Sequence, residues 1–150
     1  MNLSKNINTM GKETFETKFK AYQADLIEKG KVFEGAEGGG VFKYRGKLNT
    51  YEHILEKGKE DKNLFPDIRE KVNTYFNENE TSFWRGKTVP SNTLSSQVSC
   101  LNHLFSIREN EKAVKDVMQN FVGDRITIES MEKVRSKREV DDCQYIAFEM

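Results

Sequence analysis

Hydrophobic residues recur at helical spacing in several parts of the chain, separated by polar loops. In residues 12–28 the apolar positions are three or four residues apart and predict a surface helix with one apolar face: Phe15, Phe19, Tyr22 and Leu26. A second helix begins at Pro66, since proline suits the first helical position. Its apolar stripe is Ile68, Val72 and Phe76, and polar residues 77–80 end it.

The segment Ser95–Asn110 is apolar around most of a helical projection and therefore predicts an internal helix capped by Ser95 or Ser96. Its apolar residues are Val98, Cys100, Leu101, Leu104, Phe105 and Ile107. A narrow stripe is polar: Ser99, Asn102, His103 and Ser106. Gln97 falls on the apolar side, where an amide needs a hydrogen bond or solvent.

The last third of the chain predicts one more helix and a buried strand. Residues 113–121 keep helical spacing, end at Gly123 and are expected to pack as a pair with the central helix. Residues 126–128 indicate a short strand, and residues 143–150 indicate a strand that is apolar on both faces.

Residues 31–62 give weaker signals. Apolar pairs around the glycines of residues 35–40 predict either a hairpin or a mobile loop, and residues 49–58 either a short helix or a flexible connector. The glycine run lacks the spacing of a nucleotide-binding loop, so a flexible turn is the simpler interpretation.

The chain has 24 basic and 24 acidic residues, so its charges cancel. This balance excludes a protein that binds nucleic acid through net charge alone. A local basic cluster alternates with glutamates and could be a solvated loop or a phosphate-contacting DNA clamp: Lys133, Arg135, Lys137 and Arg138.

No apolar run approaches the ~20 residues that span a bilayer, and the first residues lack a signal-peptide centre. The two cysteines, Cys100 and Cys143, lack metal-ligand spacing and are expected to be reduced, buried thiols. These features predict a cytoplasmic protein that does not enter a membrane.

Several individual residues each allow a functional and a structural interpretation. His103 could contact phosphate, or it could be a hydrogen-bonding structural residue, and we favour the second. The other histidine, His53, lies in a polar segment without an evident partner. Trp84 could stack on a base or cover the core, and the core is favoured. Cys100 is expected to contribute packing.

Four segments together resemble a family of bacterial restriction endonucleases in the PD-(D/E)xK nuclease superfamily. They are NLFPDIREKVNTYF (63–76), FWRG (83–86), SSQVSCLNHLFSIREN (95–110) and QYIAFEM (144–150). The resemblance implies a helix-rich α/β fold in which an N-terminal helical part leads into the first strand of a restriction-endonuclease-like core. Residues 1–62 would be a variable helical and loop extension, and residues 63–150 the helical front half and first core strand.

The same resemblance implies DNA as partner, Mg²⁺ as cofactor and phosphodiester hydrolysis as reaction. Two carboxylates and a lysine must converge for that chemistry. In such relatives the acidic residue and the acidic-x-Lys pair follow a segment like YIAFE, so the chain is expected to be truncated and inactive alone. Glu149 is the one candidate for the metal cluster, and Gln97 is a supporting candidate.

Two functions follow as expectations: part of a metal-dependent DNA endonuclease, or a noncatalytic helical module that binds DNA or protein. A truncated final strand would expose unpaired edges and favour self-association.

Overall fold

The computed structural model describes residues 13–78, 82–83, 86–134 and 144–148. Within them the elements in chain order are α1 (Phe15–Glu28), β1 (Gly40–Tyr44), β2 (Lys47–Tyr51), α2 (Pro66–Glu78), α3 (Ser96–Leu104) and α4 (Glu111–Val122). Short 3₁₀ turns lie at Glu60–Asn63, Phe105–Ile107 and Gly123–Arg125. The described part is therefore mixed α/β, rich in helix, with one small antiparallel sheet.

Helix α1 lies on the surface, as predicted. The side chain of Thr14 caps it by accepting the backbone N–H of Thr17 at 3.2 Å. Phe15, Phe19 and Tyr22 remain exposed, and only Ile27 of this helix is buried.

Strands β1 and β2 form a hairpin joined by the two-residue turn Arg45–Gly46. Both turn residues have positive φ, 48° and 81°, which is the backbone twist that tight hairpins favour. The hairpin predicted around the glycine run is wrong, because β1 pairs with the segment after it and residues 32–33, before the glycines, form a turn. The helix predicted for 49–58 is wrong, because residues 49–51 belong to β2; residues 52–58 form turns and a loop that connect it to the rest of the chain.

The glycine run of residues 35–40 is packed against neighbouring backbone. A Cβ on Gly38 would lie 2.3 Å from the carbonyl oxygen of Glu52, and one on Gly40 would lie 2.2 Å from that of Leu55. The backbone N–H of Gly40 also donates to Ile54 at 2.9 Å. The flexible-turn interpretation is therefore wrong at Gly38 and Gly40, which allow two chain segments to touch, whereas a Cβ at Gly35 or Gly39 would meet nothing within 4 Å.

The larger core lies between α2, α3 and the loop that joins them. Ile68, Val72 and Phe76 of α2 are all buried, so the predicted stripe is confirmed. They pack with the other buried residues of this cluster: Leu64, Tyr75, Phe83, Val89, Val98, Leu101 and Phe105.

A smaller core holds α1 to the segments that follow it, through Ile27, Phe33, Ala36 and Leu55. The two halves of the chain are also joined by hydrogen bonds. Leu55 N–H donates to Ser91 at 3.0 Å, and Ile54 forms a β-bridge with Asn92. Glu34 accepts from both Lys62 at 2.6 Å and Arg69 at 3.2 Å. These two cations lower the pKa of the Glu34 carboxyl.

The central helix is less internal than predicted. It runs as α3 to Leu104, continues as one 3₁₀ turn, and buries only Val98, Leu101 and Phe105. Ser99 and His103 are exposed, and so is the free thiol of Cys100. The prediction of a packed Cys100 is wrong, because the small core covers one face of this helix. Cys143 lies outside the described residues.

Helix α4 and its stop at Gly123 are confirmed, with φ of 68° at the glycine. Only Val114 of α4 is buried, whereas Met118 and Phe121 are exposed, so the predicted packing of α4 as a pair with α3 is wrong over most of its length. The strand predicted at 126–128 is wrong. The side chain of Gln119 binds this backbone instead, donating to Ile126 at 2.6 Å and accepting from Ile128 at 2.9 Å.

The C-terminal segment also departs from its prediction. Residues 144–148 form no strand but one isolated bridge, between Gln144 and Val134. Tyr145 N–H donates to the carbonyl of Arg108 at 2.6 Å. One bridge to Val134 and one hydrogen bond to Arg108 do not make a ladder of strand hydrogen bonds. The predicted core strand is therefore not formed in the described residues.

Candidate functional site

A cleft of about 400 Å³ lies between α1 and the first turns of α3. Polar and apolar side chains share its wall: Phe19, Lys62, Phe65, Ser96, Ser99 and His103. Ser95 begins α3 and accepts the backbone N–H of Val98 at 3.4 Å, which confirms the predicted cap. The cleft thus gathers hydroxyls, a lysine and an imidazole along the length of α3.

Two asparagines fix the wall of this cleft. Asn102 accepts the N–H of Phe65 at 2.9 Å and donates to the carbonyl of Asn63 at 3.0 Å. Asn63 is buried and donates to the carbonyls of Pro90 at 2.8 Å and Asn92 at 3.0 Å. The Asn102 side chain therefore holds the backbone of residues 63–65 against α3. Asn63 was missed because its partners lie almost thirty residues away in the sequence.

His103 lies at the mouth of the cleft and is exposed. Its ring meets the ring of Phe65 edge-on at 6.1 Å, and within the described part of the chain this contact replaces the hydrogen bond that we predicted. Its side chain remains accessible to a ligand in the cleft.

Of the predicted site residues, the described ranges include Gln97 and Lys133. Gln97 is half-buried in the first turn of α3. Lys133 is exposed, with its ammonium 6.0 Å from the ring centre of Tyr145. Glu149, Arg135, Lys137, Arg138 and Trp84 lie outside the described residues. Their roles stay predictions.

The segment before Glu149 is held by a buried tyrosine. The Tyr75 hydroxyl lies 3.2 Å from the Gln144 side-chain amide and 3.2 Å from the backbone N–H of Phe148, and both donate to it. Phe148 also packs near Phe105, with ring centres 5.7 Å apart. Sequence periodicity did not identify Tyr75 as a functional residue, because its partners are about seventy residues away.

A second cleft, of about 510 Å³, lies beneath the hairpin. Its walls include Phe42, Tyr44, Tyr51, His53 and Lys20. His53 is buried, and this burial lowers the pKa of its imidazole; the nearby Lys20 lowers it further, while Glu16 opposes the change. The neutral ring can donate from one nitrogen and accept at the other. We missed this residue by assigning residues 49–58 to a polar connector.

The hairpin above this cleft carries three exposed cations. Lys43, Arg45 and Lys47 lie within it, and no acidic residue occurs between Glu37 and Glu52. The sequence pattern did not indicate this cluster as a binding surface, because its cations are few and alternate with uncharged residues.

No three His, Cys, Asp or Glu side chains come together as metal ligands in the ranges that the structure describes. Some acidic side chains at the surface pair with cations, as Glu34 does with Lys62 and Arg69. The described residues therefore do not fit a magnesium site. None of the described helices combines the length and apolar character needed to cross a membrane.

The family model for restriction endonuclease associating with ARP matches residues 16–150. The chain belongs to this family. The match confirms the restriction-endonuclease resemblance and extends it to α1 and the hairpin, where the resembling segments began only at residue 63. Membership indicates a nuclease-related role. The comparisons with curated proteins and with solved structures gave no match.

Proposed function

We propose that the chain is the helix-rich, DNA-binding part of a metal-dependent DNA endonuclease. The observation that carries this proposal is the family match, which spans every helix and strand described above. The proposal keeps the division into an extension, residues 1–62, and a nuclease-like part, residues 63–150. It also keeps the cytoplasm as the predicted location.

The metal centre is proposed to use carboxylates other than those described. The resemblance supports this, because in related nucleases the catalytic acidic residues follow a segment like residues 145–149. Glu149 is the proposed contribution of this chain, and Gln97 the proposed supporting residue. Hydrolysis requires two carboxylates around a hard cation and a lysine beside the attacking water.

The contacts of Tyr75 give residues 144–148 a defined place in this proposal. Its hydroxyl accepts from Gln144 and from Phe148, so the backbone that leads to Glu149 is anchored on the α2–α3 core. Backbone that carries a catalytic residue must be held rigidly, since small displacements of reacting groups cost large factors in rate.

Plasmid DNA incubated with residues 1–150 tests the proposal. In native gels at low salt we expect slower migration of supercoiled DNA, with no conversion to nicked or linear forms when Mg²⁺ is added. A parallel sample with chelator gives the baseline for contaminating nuclease. Nicking that chelator abolishes would contradict the prediction that this chain is inactive alone, and unchanged migration would contradict DNA binding.

A further inference from the structure

The β1–β2 hairpin is exposed on most of its surface. All residues from Lys43 to Thr50 are exposed, and Leu48 retains 70% of its accessible surface. Strand pairing is complete from Gly40 opposite Tyr51 to Tyr44 opposite Lys47. The hairpin is therefore an ordered two-stranded ribbon with a free tip.

The cations of the hairpin lie in a part of the sequence that has no acidic residue between Glu37 and Glu52. Some surface lysines elsewhere are paired, such as Lys20 with Glu16 at 2.5 Å and Lys112 with Asp116 at 2.7 Å. Lys43, Arg45 and Lys47 form no ion pair with any residue in the described ranges. In a chain whose total charge cancels, three such cations in five residues form a local anion-attracting surface.

The strand register distributes these cations around the ribbon. Side chains alternate between faces along each strand, so Lys43 lies on one face with Leu48 and Lys47 lies on the other with Tyr44. Arg45 occupies the tip, where its guanidinium lies 5.2 Å from the ring centre of Tyr44. Positive charge therefore lies on both faces and at the end.

We propose that this hairpin binds in the major groove of duplex DNA and that Lys43, Arg45 and Lys47 contact phosphates. The inference rests on the proposed DNA-binding function and names the surface that performs it. A ribbon in a groove has a phosphate backbone on each side, which matches cations on both faces and at the tip. A pair of strands about 4.8 Å apart, with its side chains, is compatible with a groove about 12 Å wide.

The test compares two variants of residues 1–150 with equal loss of charge. The hairpin variant is Lys43→Gln, Arg45→Gln, Lys47→Gln. The control variant is Lys57→Gln, Lys59→Gln, Lys71→Gln, whose three side chains are also exposed but lie outside the hairpin. Binding to a labelled duplex is followed by fluorescence anisotropy at several salt concentrations, and thermal unfolding checks that both variants remain folded.

We expect the hairpin variant to bind more weakly and to lower the slope of log K against log salt by about 3, one for each phosphate contact. The single variant Arg45→Gln should lower the slope by about 1. The control variant should keep the wild-type slope. Weaker binding through the hairpin alone supports the proposal.

Three results would overturn the inference, and they separate it from the proposed function. If the hairpin variant binds like wild type, the hairpin is not the contact while DNA binding stands. If both triple variants lose the same affinity and slope, charge is acting without a defined surface. If wild-type protein itself does not bind duplex DNA at low salt, the proposed function fails and the hairpin inference fails with it.

Discussion

Replacing Leu101 by alanine should lower the free energy of unfolding by about 2–5 kcal/mol. Leu101 is fully buried in α3 and belongs to the core shared with α2. Truncation removes buried methyl groups and leaves a cavity that close packing does not refill. Denaturant unfolding followed by circular dichroism measures the change.

The adjacent residue supplies the control for this prediction. Cys100 is exposed on the same helix, so Cys100→Ala should change the unfolding free energy by less than about 0.5 kcal/mol. Equal losses in Leu101→Ala and Cys100→Ala would contradict a helix buried on one face only.

Replacing Gly40 by alanine should destabilise the protein by about 1–3 kcal/mol, since overpacking forces neighbouring backbone to move. The added Cβ would lie 2.2 Å from the Leu55 carbonyl oxygen and 2.7 Å from a methyl of Ile54. Neither the carbonyl nor the buried methyl can move freely. Thermal unfolding of the variant measures the loss.

Gly86→Ala is the matched control, because a Cβ at Gly86 meets no atom within 4 Å and the residue has no positive φ. We expect the control to be neutral, or more stable by less than about 1 kcal/mol through reduced freedom of the unfolded chain. A Gly40→Ala protein as stable as this control would show that residues 38–40 are a free loop.

Local patterns predicted α2 and α4 well because each has a start or stop signal together with an apolar stripe. Pro66 and the Ile68, Val72 and Phe76 stripe lie within one helix, so no distant contact decides them. The hairpin was harder, since its turn uses Arg45 at positive φ, which L-residues other than glycine adopt rarely.

The errors lie where distant residues decide the structure. The apolar segment 143–150 predicted a strand, but Gln144 and Phe148 find their partner in the hydroxyl of Tyr75. The apolar circumference of α3 predicted an internal helix, but the core available to it covers only Val98, Leu101 and Phe105. Periodicity identifies a face that can be buried, while the number of neighbours determines how much is buried.

The candidate sites were even less accessible to sequence reasoning. The resemblance carried by residues 63–76, 83–86, 95–110 and 144–150 identified the family, which the family match confirms. Neither cleft could be predicted, because His53 meets Lys20 and Asn63 meets Pro90 only after folding. The hairpin cations were visible in the sequence, but their lack of ion-pair partners among the described residues was not.

Direct binding of residues 1–150 to a labelled DNA duplex tests the central claim most directly. We predict saturable binding at about 50 mM salt, unaffected by chelator, with log K falling linearly as log salt rises. An excess of unlabelled duplex should displace the labelled duplex from the protein. Absence of binding at that salt concentration, with protein shown to be folded by circular dichroism, would contradict the account.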